Sequence, residues 1–204
     1  MLFRSAFATI KLNGNQLEGP LPQSLAQCSN LEVLDLGDNS IEDTFPNWLE
    51  TLPDLQVLSL RSNNLHGTIT CSSTKQSFSM LRIFYVSNNN FSGPLPTSCI
   101  KNFQGMMNVN DSQIGLQYMV GTTTSYNDSM VVIVKGFFME LTRILTTFTT
   151  IDLSNNMFEG KIPQVIGELN SLKGLNLSNN GITTIFESFE KFGVVGPLMQ
   201  PIDG

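Results

Sequence analysis

The side chains that could do chemistry are few and poorly grouped. His66 is the single histidine, and Cys28, Cys71 and Cys99 form an odd set with no CxxC spacing and no Cys/His cluster. A zinc site needs four ligands at close paired spacings, so none is expected. The phosphate-cradling patterns GxGxxG and GxxxxGK[ST] and the nucleophile turn GxSxG are absent from the sequence. His66 lies in NNLHGTI with no nucleophile pattern beside it. The adjacent acids Glu42 and Asp43 read as a solvated edge rather than a general acid–base pair. The expectation is a non-catalytic protein without cofactor or metal.

Composition agrees with that expectation. Of 204 residues, 41% are apolar and 14% charged, against a usual charged share of about 25%. Such a chain can bury a core. Its net charge of −6 excludes a generally basic nucleic-acid binder, which must neutralise phosphates with clustered Lys and Arg. It also disfavours docking on an acidic membrane. No apolar run is long enough to span a bilayer. The opening MLFRSAFATI is interrupted by Arg4 and Ser5, so it reads neither as a clean secretion signal nor as an anchor.

What positions the side chains is a repeat. LEVLDLGDNSI (31–41), LQVLSLRSNNL (55–65), LRIFYVSNNNF (81–91), FTTIDLSNNMF (148–158) and LKGLNLSNNGI (172–182) share L-x-x-L-x-L-x-x-N-x-L, and FATIKLNGNQL (7–17) is a sixth copy. The aligned asparagines Asn15, Asn39, Asn63, Asn89, Asn156 and Asn180 are spaced by 24, 24, 26, 67 and 24 residues. The long interval is one period with 43 residues inserted. Within each copy the alternating Leu residues point inward from a short strand, and Asp35 lies between Leu34 and Leu36 on the other face. A buried Asn at the following turn can satisfy backbone groups left unpaired there. One copy cannot bury its apolar side, whereas stacked copies make a parallel sheet over a continuous core.

After the asparagine, Leu17-Glu18-Gly19-Pro20-Leu21-Pro22, Phe91-Ser92-Gly93-Pro94-Leu95-Pro96 and Phe158-Glu159-Gly160-Lys161-Ile162-Pro163 show a second half-motif. Gly permits the bend, and Pro fixes φ where the chain returns. The pattern assigns 1–105 to about four copies, 106–147 to the insertion, 148–192 to two copies with the last degenerate, and 193–204 to an irregular tail. Thr184 stands where Gly160 aligns, and Glu187 where Pro163 aligns. Inside the insertion, Met130–Val134 is apolar and β-branched and predicts a buried strand. Phe138 to Leu145 predicts a helix with Leu141, Ile144 and Leu145 on one side.

The LxGxIP half-motif resembles the plant-specific class of leucine-rich repeats. The stretch SYNDSMVVIVKGFFMELTRIL (125–145), followed by TTFTTIDLSNNMFEGKIP, resembles the island region of plant leucine-rich-repeat receptor-like proteins. The resemblance implies an α/β-type solenoid: a right-handed superhelix with a parallel concave β-sheet, interrupted by an island. It also implies part of an extracellular receptor at the plasma membrane in defence or developmental signalling. Such a receptor binds a peptide, glycan or protein ligand and signals with a receptor-kinase partner. The absence of a clear signal peptide or membrane helix reads as a fragment or truncated product. Two alternatives are a soluble inhibitor of a cell-wall-degrading enzyme, which resembles an uninterrupted solenoid of the same repeats, and a nonfunctional truncated gene product.

Recognition by a solenoid uses variable positions of its sheet. Aligning the copies gives one outward row of Lys11, Asp35, Ser59, Tyr85, Asp152 and Asn176. A second row is Asn13, Gly37, Arg61, Ser87, Ser154 and Ser178, and a third Ala8, Glu32, Gln56, Arg82, Thr149 and Lys173. Glu32, Asp35, Gln56, Arg61, Arg82 and Tyr85 depart most from the repeat background and are the candidate ligand contacts, Arg and Tyr being favoured interface anchors. Tyr118 and Tyr126 in the insertion are further candidates. Glycan acceptor sequons occur at Asn90, Asn110, Asn127 and Asn176, a number close to chance in a chain this rich in Asn, Ser and Thr. Asn110 and Asn127, in the insertion, are the expected carriers if the chain is secreted. Cys71 and Cys99 lie in adjacent copies and can form a disulfide if the backbone brings them close. Cys28 reads as a small buried residue.

Overall fold

The computed structural model describes residues 7–72, 77–107, 130–134, 137–141 and 148–184. Each repeat contributes one short strand, and the strands Thr9–Lys11, Val33–Asp35, Val57–Ser59, Ile83–Tyr85, Thr150–Asp152 and Gly174–Asn176 follow one another in a six-stranded parallel sheet. The register aligns Ile10, Leu34, Leu58, Phe84, Ile151 and Leu175. Their side chains line one core with Leu36, Leu60, Val86 and Leu153. Fully burying one such side chain contributes about 2–3 kcal/mol, which a lone copy could not obtain. Phenylalanines extend the core behind the sheet: Phe84 meets Phe103 at 5.4 Å and Phe45 at 6.1 Å between ring centroids.

The asparagines stack as the sequence predicts, and their bonds explain why the residue must be Asn. Asn63 Nδ2 donates to the carbonyls of Leu60 and Arg61 in its own turn and of Leu36 in the preceding coil. Its Oδ1 accepts from the backbone N–H of Ile41 at 3.0 Å. Asn39, Asn89, Asn156 and Asn180 repeat the pattern, accepting from Leu17, Leu65, Phe91 and Phe158 respectively. One amide thus sews two coils together with both its donor and its acceptor. Asp38, Ser62, Asn88, Asn155 and Asn179, each just before a ladder asparagine, hold φ between 52° and 55°, the left-handed turn that ends the strand.

The insertion does not disturb this lattice. The strand Ile83–Tyr85 pairs directly with Thr150–Asp152, and Asn156 reaches back to the Val86 carbonyl at 3.0 Å. Met106, which the repeat pattern places in the insertion, is fully buried in the core. It belongs to the helix Gln104–Met107, and its carbonyl accepts from Ser171 N–H at 2.9 Å in the coil beyond the insertion.

Pro22, Pro46, Pro96 and Pro163 each stand immediately before a short helix on the return side: Gln23–Gln27, Asn47–Thr51, Thr97–Ile100 and Gln164–Glu168. Fixed φ and the missing N–H suit proline to that place. A second, lateral sheet orders Gly181–Thr184, Met157–Lys161, Asn90–Pro94 and His66–Gly67, and Glu18–Gly19 pairs with Ser40–Ile41.

Two expectations concern what hangs on the spine. Met130–Val134 is a strand, as predicted. The helix predicted over Phe138 to Leu145 is overturned: Phe137–Leu141 is a strand, antiparallel to Met130–Val134 with Leu141 opposite Met130. Aromatic residues favour a pleated surface, and Lys135-Gly136 leaves the two-residue spacing of a hairpin. Residues 142–145 lie outside the described residues, as do Tyr118, Tyr126, Asn110, Asn127, Glu187 and the tail 193–204. Cys71 and Cys99 are joined in a disulfide with Cα atoms 5.0 Å apart, and Cys28 is a free, buried thiol.

Candidate functional site

The face of the parallel sheet turned away from the core is built by strand register. Lys11, Asp35, Ser59, Tyr85, Asp152 and Asn176 are consecutive partners along it, so the sequence alignment gave their row correctly. Their exposure departs from that reading. Asp35, Ser59, Tyr85 and Asp152 are buried, and only the end residues Lys11 and Asn176 are half-exposed. Asp35 and Tyr85, expected as ligand contacts, stand on the outward face but present little surface there.

Part of the reason is visible in the packing. The stem of Arg61 crosses the gap left by Gly37, where a Cβ would meet Arg61 Cγ at 3.0 Å, Asp35 Oδ1 at 3.2 Å and Ser59 Oγ at 3.3 Å. Gly37 is thus the notch that lets Arg61 lie flat. From there Arg61 Nη2 donates to Asp38 Oδ2 at 2.9 Å. Burial pushes the Tyr85 phenol up to about 12, with nearby Asp152 acting the same way; a hydrogen bond with Thr150 and the charge of Arg61 oppose the shift. Tyr85 is consequently a neutral hydrogen-bonding group at any physiological pH.

The acids of the middle row shape turns. Asp35 Oδ1 accepts from Gly37 N–H at 3.1 Å, and Asp152 Oδ1 accepts from both the N–H and the hydroxyl of Ser154, at 3.0 and 2.6 Å. Asn176 repeats this with Ser178. In the third row Gln56 Nε2 donates to Glu32 Oε2 at 3.2 Å, and Arg82 Nη1 donates to the Gly105 carbonyl at 3.3 Å. Burial holds the Arg82 pKa below its ordinary value. Glu32, Gln56 and Arg82 are partly exposed just before their strands and offer a carboxylate, an amide and a guanidinium to an incoming partner, while Arg61, its side chain 13% exposed, lies beyond the other end of its strand. Such a set can bind carboxylates and peptide groups.

The alignment missed a further row. Val33, Val57 and Ile83 lie two residues before Asp35, Ser59 and Tyr85 on the same side of their strands, yet are at most 1% exposed and stand apart from the main core cluster. A signal existed: Val33, Val57 and Ile83 hold the same place in consecutive copies, so the strand register sets them side by side, where apolar cross-strand neighbours bury one another. The remaining candidates are elsewhere. His66 is exposed on the lateral sheet, paired with Asn90. The Asp43 carboxylate accepts from Leu21 and Thr44 N–H. Among the described residues no group of three His, Cys, Asp or Glu is placed to hold a metal, and no helix is long and apolar enough to cross a membrane.

Residues 7–65, and again 80–102, 147–169 and 171–192, match family models described as leucine-rich repeat. Over 171 residues the chain is 47% identical to receptor-like protein 53 of Arabidopsis thaliana, covering 83% of this chain and 17% of that protein. The chain thus spans under a fifth of that relative's length. Among solved structures it is similar to the plant peptide hormone receptor RGFR1 in complex with RGF2, with a TM-score of 0.59 and 24% identity over 85% of this chain and 20% of that one. It is also similar to PEPR1 with AtPEP1, with a TM-score of 0.57 and 25% identity over 85% of this chain and 18% of that one.

Proposed function

The chain belongs to the leucine-rich-repeat family in its plant receptor-like-protein form, and from that premise we propose that it recognises a ligand and a partner as part of a cell-surface receptor. The finer reading places it at the extracellular face of the plasma membrane, in defence or developmental signalling, without catalytic activity of its own. The ligand is a peptide, glycan or protein, and the signalling partner is a receptor kinase. One observation carries the reading: Glu32, Gln56 and Arg82 stand partly exposed in one row, with Arg61 at the far end of its strand, on a single sheet whose register survives a long insertion. A rigid wall presenting Arg groups with pre-set partners loses little entropy on binding. The peptide-bound relatives RGFR1 and PEPR1 support a peptide as the first ligand to try.

The test is binding of the purified chain to a pool of plant extracellular peptides and to a receptor-kinase ectodomain. Arg61→Ala with Arg82→Ala is expected to weaken binding by about tenfold or more, while Gln23→Ala with Gln27→Ala, on the return side, leaves it unchanged. Binding that ignores the arginines, or that is lost equally from the return side, would remove this assignment.

A further inference from the structure

We propose that Asn90 carries an N-linked glycan and that the sequon at Asn176 stays bare. The proposal rests on the extracellular reading above, because the sugar is added in the secretory pathway. Asn90 opens the lateral strand Asn90–Pro94. Its backbone N–H is fixed on the Leu65 carbonyl at 2.7 Å, and the fully buried Phe91 anchors the next residue. The side chains of Asn90 and Ser92 flank Phe91 on the opposite, outward side. Asn90 is exposed, and its amide makes no hydrogen bond among the described residues. Asn176 differs in each respect. It is half-buried in the parallel sheet, and its Oδ1 accepts from Ser178 N–H at 3.2 Å and from the Ser178 hydroxyl at 2.8 Å. The serine that completes the sequon is the serine that holds the turn.

In the transfer, the Asn amide nitrogen attacks the anomeric carbon of a lipid-pyrophosphate-linked oligosaccharide. An N–C bond forms, the C–O bond to the pyrophosphate breaks, the lipid pyrophosphate leaves with the electron pair, and the amide proton passes to a base. The acceptor is presented as extended chain, so the fold acts afterwards as a filter. A sugar on Asn90 projects into solvent from the lateral sheet. A sugar on Asn176 Nδ2 leaves the Ser178 bonds to Oδ1 in place, but it must leave from a half-buried position and crowd the row shared with Asp152 and Tyr85. The glycan then marks the lateral sheet as a face that does not dock a partner, leaving the parallel sheet open.

The experiment directs the whole chain into the secretory pathway of plant cells with an added leader. Folded protein from the lumen or medium is then digested and site occupancy read by mass spectrometry. Asn90 is expected to be glycosylated in most copies and Asn176 in few. Asn90→Gln and Ser92→Ala are each expected to remove one glycan, while Asn176→Gln changes neither glycan mass nor yield. A bare Asn90, or equal occupancy at Asn176, overturns the proposal. Because occupancy is read on the unsubstituted chain, a variant that fails to fold does not obscure the answer. A bare Asn90 in a chain that still binds its ligand would leave the receptor reading standing, and loss of ligand binding says nothing against the glycan.

Discussion

The first coil and the third share one motif and differ in almost everything the motif is supposed to deliver. Leu60 and Leu65 are 0% exposed, whereas their counterparts Leu12 and Leu17 are 45% and 38% exposed. Asn63 donates to three carbonyls in two coils and accepts from Ile41; Asn15 donates only within its own turn, to Leu12 and Asn13. Among the described residues Thr9–Lys11 is an edge strand of the sheet and Val57–Ser59 an inner one. A consensus residue therefore has no fixed worth. Its contribution is set by how many neighbouring coils complete its contacts.

The sharpest way to break this comparison is at the ladder. Asn89→Ala removes three donated bonds and the acceptor for Leu65 N–H, leaving buried carbonyls unpaired. It is expected to cost about 4 kcal/mol in urea unfolding, against about 0.5 kcal/mol for Asn15→Ala. Equal losses at the two sites would refute the neighbour-dependence. Leu60→Ala should follow at about 3 kcal/mol, whereas Leu12→Ala is expected within about 0.5 kcal/mol.

The disulfide belongs to the well-neighboured region. Replacing Cys71 and Cys99 together by Ser opens a link between residues 28 apart in sequence, and a stability loss of about 3 kcal/mol is expected. The first coil should unfold at the same denaturant concentration with or without this link if it already frays independently, which hydrogen exchange at Leu12 and Gly14 would report.

Much of this was readable before any coordinates. Six asparagines in phase fix the spine, because only an amide serves both the donor and the acceptor needs of two coils. The hairpin at 130–141 was half legible. Met130–Val134 declares itself by β-branching, but FFMELTRIL fits either periodicity, and only pairing with its neighbour decides for a strand. Burial of the outer face was least legible. Sequence tells on which side of a sheet Asp35 and Tyr85 stand, but not how little surface they present there, and the flat course of Arg61 depends on a missing side chain at Gly37.

Tyr85 sharpens the contrast between an inner row member and Lys11 at its end. Since burial raises the folded phenol to about 12, above the value of about 10 in an unfolded chain, the native state holds the proton more tightly. Stability from this group is full below pH 10 and is lost as pH rises toward 12. Tyr85→Phe should flatten that alkaline slope, and absorbance titration of the tyrosinates should show one of them titrating late. The smallest effect is expected at Arg61 and Asp38. Their ion pair, with side chains 13% and 43% exposed, should contribute no more than about 1 kcal/mol and weaken with salt. Double-mutant cycles on Arg61 and Asp38 would measure it directly.

The direct pairing of Ile83–Tyr85 with Thr150–Asp152 has a consequence for how such molecules diversify. Each rung checks only the rungs above and below it, so a detour between two rungs is invisible to the rest of the staircase. Length and composition can drift there without retuning the strand pairing or the asparagine bond that join the two rungs.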